Sequence, residues 1–525
     1  MKSLKPMSLM LPILLCLFLF GFFSLPLLTS IEIKSSITKI LSALFFIFSL
    51  FSIKYKFIEN REKSNTPWFE YLFLVFQLSI LSHSYLHILE EHLYSFFLVD
   101  FDFLALAEIL NNSLNGDFFK TTHYGNSASG NYLSHHFSPT ILILSPFLLL
   151  SKYRLGYAYG LLFFVLLSYF LFALLLIKKR ILGNSFYLTM TLFNLNVITH
   201  RLFFSYHFEL ISVFFFLLFF IGKEFKKYQL TVASFFFLLF LKEDIAIYLF
   251  CLGIFFVFEK NFKYAMLISF TSMFYFLFVP AFFQSHLNKS AEVNWLQDWS
   301  KWGNSYSEIL LNIITHPLRL FESIISKVKV LKHFILSFSP IIFFHPGIII
   351  VSLPIFVLHF ISDRIWYNTL YNYYSYTVAP FLIIGIILSI HNLKNSKFHK
   401  YTNSILLVCI AISLYANSGD QDFPYRKITT DMSRVNDVIE ITENIEKNKT
   451  IATQFDLGGF IPRANPLYPL HEKNLDKDYI LIDTKRGITP YVDRERIERM
   501  VIVIKDKTHF ISNEKNGIIL FQKYQ

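Results

Sequence analysis

The chain has 525 residues, of which 54% are hydrophobic and only 16% are charged. Soluble globular proteins carry about 25% charged residues, so the composition excludes an ordinary soluble protein and indicates a membrane protein. The formal net charge is +11. Its lysines and arginines stand in short segments between apolar runs, not in one basic domain with interleaved aromatic residues, which argues against nucleic-acid binding.

Long apolar runs predict an all-α polytopic domain over residues 1–416, with about thirteen transmembrane helices. The first run is too long for the apolar part of a usual signal peptide, so we expect it to be retained as a helix. The predicted spans are 9–28, 36–53, 68–89, 155–177, 184–200, 207–222, 229–242, 244–258, 264–283, 331–345, 346–361, 377–391 and 404–416. The run from Phe137 to Leu150 contains Pro146 and is too short to span, so a helix at the membrane interface is predicted there.

Basic loops predict the orientation of these spans. Segments such as Lys178-Lys179-Arg180 fall on one side of the membrane when the spans are counted from a cytoplasmic N-terminus. The predicted location is therefore the cytoplasmic (inner) membrane, in multi-pass form. This orientation places two long loops outside, at about 90–154 and 284–330, together with everything after residue 416.

The last part of the chain, residues 417–525, differs in character because it is more charged and its apolar runs are shorter. Its pattern predicts a helix over 431–447 and strands over 450–453, 479–483 and 500–504. We therefore expect a small extracytoplasmic α/β domain at the C-terminus.

Polar side chains recur at the predicted outer ends of the spans. They are Asp100 with Asp102, Glu108, His135 with His136, His207 with Glu209, Lys242-Glu243-Asp244, and Asp363-Arg364. An ionisable group at membrane depth costs about 2.5–3.5 kcal/mol, so each is a functional candidate, although solvation in the headgroup region is an alternative. Together they are expected to line one outward-facing cavity, with carboxylates for base or metal chemistry and cations for a phosphate.

The order of these motifs resembles that of a known family. The motifs are Phe101-Asp102-Phe103, His136-Phe137-Ser138-Pro139, His207-Phe208-Glu209, Lys242-Glu243-Asp244 and Ser362-Asp363-Arg364, with a tyrosine-rich stretch after the last. They resemble domain of unknown function 2079, a prokaryotic family of polytopic membrane proteins that is grouped with the GT-C glycosyltransferases. This chain has Ala107 where the family usually has a second acid, and Tyr373 where it often has a histidine.

The resemblance implies a GT-C architecture with its active site at the outer membrane face. In such enzymes an acid of the first outer loop acts as base on the acceptor hydroxyl or helps to hold a divalent metal, and the sugar donor is a polyprenyl-phosphate conjugate. On this analogy Asp102 is the expected catalytic residue and Asp100 its nearest competitor. Lys242 and Arg364 are the expected cations for the leaving phosphate. The remaining expected substrate-binding residues are His136, His207, Glu209, Glu243, Asp244 and Asp363.

The predicted function is thus transfer of a sugar, with inversion, from a lipid-phosphate donor to an acceptor at the outer face of the cytoplasmic membrane. The bilayer and the polyprenyl-phosphate donor are the predicted partners, and a divalent metal is left open. A transporter or lipid flippase is one alternative, but it needs polar groups reachable from both faces, whereas the polar clusters here are one-sided. A non-catalytic scaffold for envelope assembly, which recruits partners through its tail, is the other.

Overall fold

The structure is a computed structural model. It describes residues 11–19, 43–44, 68–96, 101–123, 130–287, 298–328, 331–332, 335–336, 339–364, 367, 370, 372–418, 431–485, 494–507 and 509–524. The predicted catalytic residue Asp100 and nearly all of the predicted span 36–53 lie outside these ranges. The chain divides into two compact units. One comprises Met1–Tyr85, Phe164–Pro280 and Val293–Lys427, and the other comprises Leu86–Phe163, Ala281–Glu292 and Ile428–Gln525.

The described chain is mostly helical, which confirms this part of the sequence prediction. Residues 11–19 are helical. Between residues 68 and 418, the α-helices with described bounds are Trp68–Tyr94, Phe101–Leu114, Gly156–Lys178, Asn184–Leu195, Val197–Phe203, Ile211–Glu224, Tyr228–Leu239, Ile245–Phe258, Phe262–Leu287, Tyr306–Thr315, Pro317–Ser326, Pro346–Ile361, Ala379–Lys394 and Thr402–Ser418. The 3-10 helices in this region are Tyr132–Ser134, Pro139–Leu150, Phe208–Leu210, Pro340–Phe344, Asn372–Thr377 and His399–Tyr401.

Three described helices are long and apolar enough to cross a bilayer, namely Trp68–Tyr94, Gly156–Lys178 and Phe262–Pro280. A bent pair, Ser307–Thr315 with Pro317–Ser326, makes a fourth if its two halves count as one span. Several other predicted spans coincide with shorter apolar helices, such as Tyr228–Leu239, which is shorter than the roughly 20 residues of a straight crossing. The number of about thirteen spans therefore stays a prediction, as does their orientation in the membrane.

Close helix packing in the first unit depends on a small residue at one point. Gly222, near the end of Ile211–Glu224, faces the first turn of Tyr228–Leu239. A Cβ at Gly222 would lie 2.5 Å from Thr231 Oγ1 and 2.8 Å from the Thr231 backbone nitrogen. Because a backbone atom cannot move as a flexible side chain does, this helical hairpin requires glycine there.

The tail of the second unit is built on a mixed five-stranded sheet of order β2-β1-β3-β5-β4. The strands are β1 (Ile451–Thr453), β2 (Leu467–Pro469), β3 (Tyr479–Asp483), β4 (His509–Lys515) and β5 (Ile518–Lys523). Strand β1 pairs in parallel with β2 and β3, whereas β5 runs antiparallel to β3 and β4. The helical elements of the tail are Met432–Glu443, Phe455–Gly458, the 3-10 turn Glu472–Asn474, and Arg494–Lys507.

The α/β prediction for the tail is confirmed, with one wrong element. A strand was predicted over 500–504, but the residues belong to the helix Arg494–Lys507. Ile497, Met500 and Ile504 recur at helical spacing and are buried in the core, while Ile502 is 60% exposed. The apolar run was therefore one face of a helix whose outer side also carries apolar residues.

Within the second unit, the tail packs against the segment that follows the helix Trp68–Tyr94. The Arg154 guanidinium is buried and donates hydrogen bonds to the carbonyls of Ile461 at 2.9 Å and Asn465 at 2.7 Å. Asn111 donates to the Arg463 carbonyl at 3.0 Å. The described parts of 86–163 and 428–525 are thus joined by hydrogen bonds, although more than 300 residues separate Arg154 from its acceptors along the chain.

Candidate functional site

Lys242 is the central cation of a polar cluster in the first unit. It stands in the turn between the helices Tyr228–Leu239 and Ile245–Phe258, and it is buried. Its Nζ donates a hydrogen bond to Glu209 Oε1 at 2.8 Å. A buried ion pair repays its desolvation only with good geometry and further polar contacts, so the neighbours of the pair are informative.

Glu209 lies in the 3-10 turn Phe208–Leu210, which leads into the helix Ile211–Glu224. The Nδ1 of His207 is 3.7 Å from Glu209 Oε2, and the His207 ring stacks on Tyr373 with centroids 3.7 Å apart. Within the described part of the chain, the buried Oε2 accepts no hydrogen bond. One oxygen of this carboxylate is therefore committed to Lys242, and the other is buried without a hydrogen-bond donor among the described residues.

The carboxylate of Asp244 likewise has one oxygen with hydrogen-bond donors and one without. Its Oδ2 accepts hydrogen bonds from the hydroxyls of Tyr376 and, at 3.4 Å, Tyr248. Its Oδ1 is buried and has no donor among the residues with described positions. The spacing of four residues on one helix brings Tyr248 to Asp244, and Tyr248 in turn contacts the Tyr367 hydroxyl at 3.3 Å.

Tyrosine rings surround the lysine. The Lys242 Nζ lies 5.6 Å from the ring centroid of Tyr373 and 5.0 Å from that of Tyr376. Both tyrosines belong to the 3-10 helix Asn372–Thr377. Side chains three residues apart eclipse each other in a 3-10 helix, which explains why these two face the same cation. Cation–π attraction of this kind is strongest where water is excluded.

Arg364 stands at the exposed edge of the cluster. Its guanidinium lies over the Tyr374 ring at 5.5 Å and is 3.5 Å from Asp298 Oδ2. The Tyr373 hydroxyl donates to the Tyr374 hydroxyl at 3.0 Å, which links Arg364 to the tyrosines around Lys242. Arg364 is 46% exposed at its side chain, so its planar fork of donors is open to a phosphate or carboxylate.

The structure thus brings together His207, Glu209, Lys242, Asp244 and Arg364, five of the predicted substrate-binding residues. Two other predicted residues stand beside this cluster. Glu243 is half-buried between Lys242 and Asp244, and Asp363 pairs with Lys301 at 2.8 Å.

Asp102 and His136 belong to the second unit. Asp102 lies in the first turn of the helix Phe101–Leu114 and is half-buried. The half-buried His136 ring contacts Tyr132 and His135, with centroids 6.0 and 4.6 Å away. The roles of Asp102 and His136 stay predictions.

Glu108, on the same helix as Asp102, is a buried structural acid. The backbone N–H of Thr122 and the Thr121 hydroxyl donate to its Oε2, and His123 Nδ1 lies 2.8 Å from the same oxygen. Burial alone would raise the pKa of Glu108, but the His123 ring and the Thr122 hydrogen bonds outweigh it and hold the pKa below its ordinary value. Since its oxygens are occupied, Glu108 is a poor replacement for the acid missing at Ala107.

Sequence reasoning overlooked several members of these networks. In the first unit they are Tyr248, Tyr367, Tyr376 and Asp298, and in the second they are His123 and Arg154. The spacings Asp244–Tyr248 and Tyr373–Tyr376 carried a usable signal, since both match helical neighbours. The partners of Arg154 carried none, because they are backbone carbonyls far along the chain.

The described ranges contain no group of three or more His, Cys, Asp or Glu side chains that fits a metal ion. The residues of the Lys242 cluster place two carboxylates around a lysine, and that arrangement favours a ligand with hydroxyl donors and an anionic group.

Comparison with known proteins gives a family assignment. A family model described as "Predicted membrane protein (DUF2079)" matches residues 92–520. No curated protein matches the chain. The family match covers most of the chain, including the Lys242 cluster and most of the tail sheet. The chain therefore belongs to the DUF2079 family of predicted membrane proteins.

Proposed function

We propose that this membrane protein is a GT-C-type glycosyltransferase, which moves a sugar from a polyprenyl-phosphate donor to an acceptor hydroxyl. The observation that carries the proposal is the pair of buried carboxylate oxygens beside Lys242, Glu209 Oε2 and Asp244 Oδ1, for which the described residues supply no donor. A buried acceptor without a donor costs about 1–3 kcal/mol. A ligand with several hydroxyl groups removes that cost, and a sugar is such a ligand.

The surroundings of these oxygens suit a bound small molecule. Tyr373 and Tyr376 supply aromatic surface on one side of Lys242, and Tyr248 and Tyr367 extend it beyond Asp244. Sites for small molecules are mostly apolar or aromatic walls with a few placed polar groups. The cluster has this composition, because its acceptors and cations are fixed against tyrosine rings.

Transfer breaks the bond between the sugar C1 and the phosphate oxygen and forms a bond between C1 and the acceptor oxygen. The phosphate leaves with the bonding electron pair, so it gains negative charge, which Arg364 and Lys242 are suited to stabilise. The proton of the acceptor hydroxyl passes to a carboxylate base. We assign this role to Asp102 from the sequence motif, with Asp100 as the alternative.

A deletion strain tests the reaction directly. We expect polyprenyl-phosphate sugars to accumulate in its lipid extract, as measured by mass spectrometry, and to disappear when the intact gene is restored. Since general base catalysis contributes about 10²- to 10⁴-fold, Asp102→Asn should leave the accumulation in place at normal protein level. Full restoration of sugar transfer by Asp102→Asn would exclude Asp102 as the catalytic base.

The Lys242 site is tested by the double variant Lys242→Met with Glu209→Gln, which avoids leaving one buried charge unpaired. A matched control exists in the same unit, because Lys179 pairs with Glu224 at 2.7 Å. We expect the first double variant to lose transfer and the equivalent change at Lys179 and Glu224 to retain it. Equal loss of transfer in both double variants would show that the Lys242–Glu209 pair contributes to stability and not to the reaction.

The same strains separate the alternative functions. Proteoliposomes that move a lipid-linked sugar across the bilayer without transferring it would favour a flippase. A strain whose phenotype follows deletion of the tail, but not the changes at Lys242 and Glu209, would favour a scaffold. Either result would overturn the glycosyltransferase proposal.

A further inference from the structure

A bent helix pair in the first unit carries an apolar surface that no described residue covers. The helices Tyr306–Thr315 and Pro317–Ser326 meet at a bend of 93°. Their exposed apolar side chains are Leu310, Leu311, Ile314, Leu318, Phe321 and Ile325, and Leu318 is 78% exposed. By length and composition the pair is compatible with a broken span or a re-entrant loop, and its two short halves are also compatible with a position along the membrane surface.

The second helix, Pro317–Ser326, has three distinct faces. Leu318, Phe321 and Ile325 follow one stripe at spacings of three and four residues. Arg319, Glu322 and Ser326 follow a second, polar stripe that is also exposed along the whole helix. Two of these three residues, Arg319 and Glu322, are charged, and a helix that crosses the hydrocarbon rarely exposes charged side chains because ionisable groups there are costly.

The third face is bound to protein. Ser323 Oγ donates to the Phe360 carbonyl at 3.0 Å. Lys327, just beyond the helix, donates to the carbonyls of Phe360 and Ser362. Leu320 packs with a small core formed by Trp302, Ile309 and Ile361. The helix is therefore held at the C-terminal end of Pro346–Ile361, with the apolar stripe turned away from the protein. On the polar stripe, Arg319 donates to the Lys301 carbonyl at 2.7 Å, and Glu322 is exposed.

We infer that this pair is an interfacial membrane anchor, with its apolar stripe inserted among lipid acyl chains and its polar stripe in the headgroup region. The helix has one face in contact with protein, one turned to lipid and one turned to water. This arrangement is expected of a helix that lies in the plane of the membrane interface. Trp299, a half-buried residue shortly before the pair, agrees with this depth, since tryptophan is enriched at membrane–water interfaces.

The anchor also bears on the Lys242 cluster. Trp299 contacts the Tyr367 ring at 5.5 Å, and Asp298 pairs with Arg364. Both residues stand on the segment that leads into the anchor. An anchor at headgroup depth therefore sets Arg364 close to the level of lipid phosphates. The significance of Arg364 at this level rests on the proposed function, whereas the inference of a membrane anchor does not.

Depth-dependent quenching of fluorescence tests the anchor in the full chain. The native Cys16, Cys251 and Cys409 are replaced by alanine, and an environment-sensitive dye is attached to single cysteines. The test variants are Leu310→Cys, at an exposed apolar position of the first helix, and Phe321→Cys, on the apolar stripe of the second helix. Glu322→Cys reports the polar stripe, and Phe270→Cys, in the middle of the candidate span Phe262–Pro280 and 72% exposed, is the deep control.

The protein is reconstituted in vesicles of phosphatidylethanolamine and phosphatidylglycerol. We expect the labels at 310 and 321 to lose most fluorescence to a spin label near the headgroup and little to one near the acyl end, with the reverse at 270. The label at 322 should be quenched by aqueous iodide. Deep quenching at 310 or 321, equal to that at 270, would show a membrane crossing and overturn the inference. Absence of lipid quenching at both, with 270 quenched normally, would show a water- or protein-covered surface and would also overturn it.

Discussion

Removal of the Arg154 guanidinium is expected to loosen the tail from the rest of its unit. Arg154→Met leaves the carbonyls of Ile461 and Asn465, now bonded at 2.9 and 2.7 Å, without their donor. Hydrogen bonds to a charged group contribute about 1.5–3 kcal/mol each, so two of them give roughly 3–6 kcal/mol. The variant also removes the desolvation penalty of a buried cation. We therefore expect a destabilisation at the lower end of this range, about 3 kcal/mol.

Native-state hydrogen exchange of the protein in nanodiscs measures this loss. The amides of Ile451 and Leu470 report the tail, since they donate to the Pro466 and Thr453 carbonyls beside β1 and β2. A loss of about 3 kcal/mol speeds their exchange by roughly 10²-fold, at 1.4 kcal/mol per factor of ten. Lys152→Ala is the matched control, because this exposed basic residue is only two positions away.

Unchanged protection at both amides in Arg154→Met would refute the reasoning. It would mean that the two carbonyls find other donors when the guanidinium is absent. An acceleration of exchange that Lys152→Ala shares would point instead to the general loss of positive charge.

The remaining predictions concern acid stability and helix packing. The ordinary pKa of Glu108 is 4.5 and its folded value is lower, so this carboxylate stabilises the fold above about pH 4.5, and the contribution is lost as the pH falls through the folded value. The thermal midpoint should therefore fall in acid for the wild type and less steeply for Glu108→Gln, and parallel pH profiles would contradict this assignment. Gly222→Ala should destabilise the first unit by about 1–3 kcal/mol, because its Cβ meets the Thr231 backbone. Gly347→Ala, whose Cβ meets nothing nearer than 3.6 Å, should change the unfolding midpoint little, and equal midpoints for the two variants would argue against the close helix contact.

The local sequence pattern was sufficient to predict many of the helices and strands. The strand at 479–483 was predicted with the boundaries that the structure shows, because a short run of β-branched and apolar residues is bounded by acids. The helix predicted from residue 431 begins at Met432, where Asp431 caps it by accepting from the Arg434 N–H. The strand at 500–504 was wrong because exposed Ile502 and Val503 filled the gaps in a helical pattern.

The candidate site was accessible to sequence reasoning only in part. The charges of Lys242, Glu209 and Arg364 were conspicuous in an apolar chain, since ionisable groups are rare in such segments without a function. Their pairing was not readable, because 33 residues separate Lys242 from Glu209 and 66 separate Arg364 from Asp298. The aromatic wall around Lys242 required the 3-10 geometry of residues 372–377, which periodicity alone does not reveal.

By itself, the sequence determined the membrane class, the helical character, the α/β tail and the residues whose charges need an explanation. Composition and periodicity are local properties, and burial of apolar faces follows from them. Only the tertiary structure decided that Glu209 and Asp244 each keep one oxygen committed and one open, and that Arg154 holds the tail through carbonyls more than 300 positions away. Such contacts depend on how distant segments meet, and chain order does not record the distance between them in space.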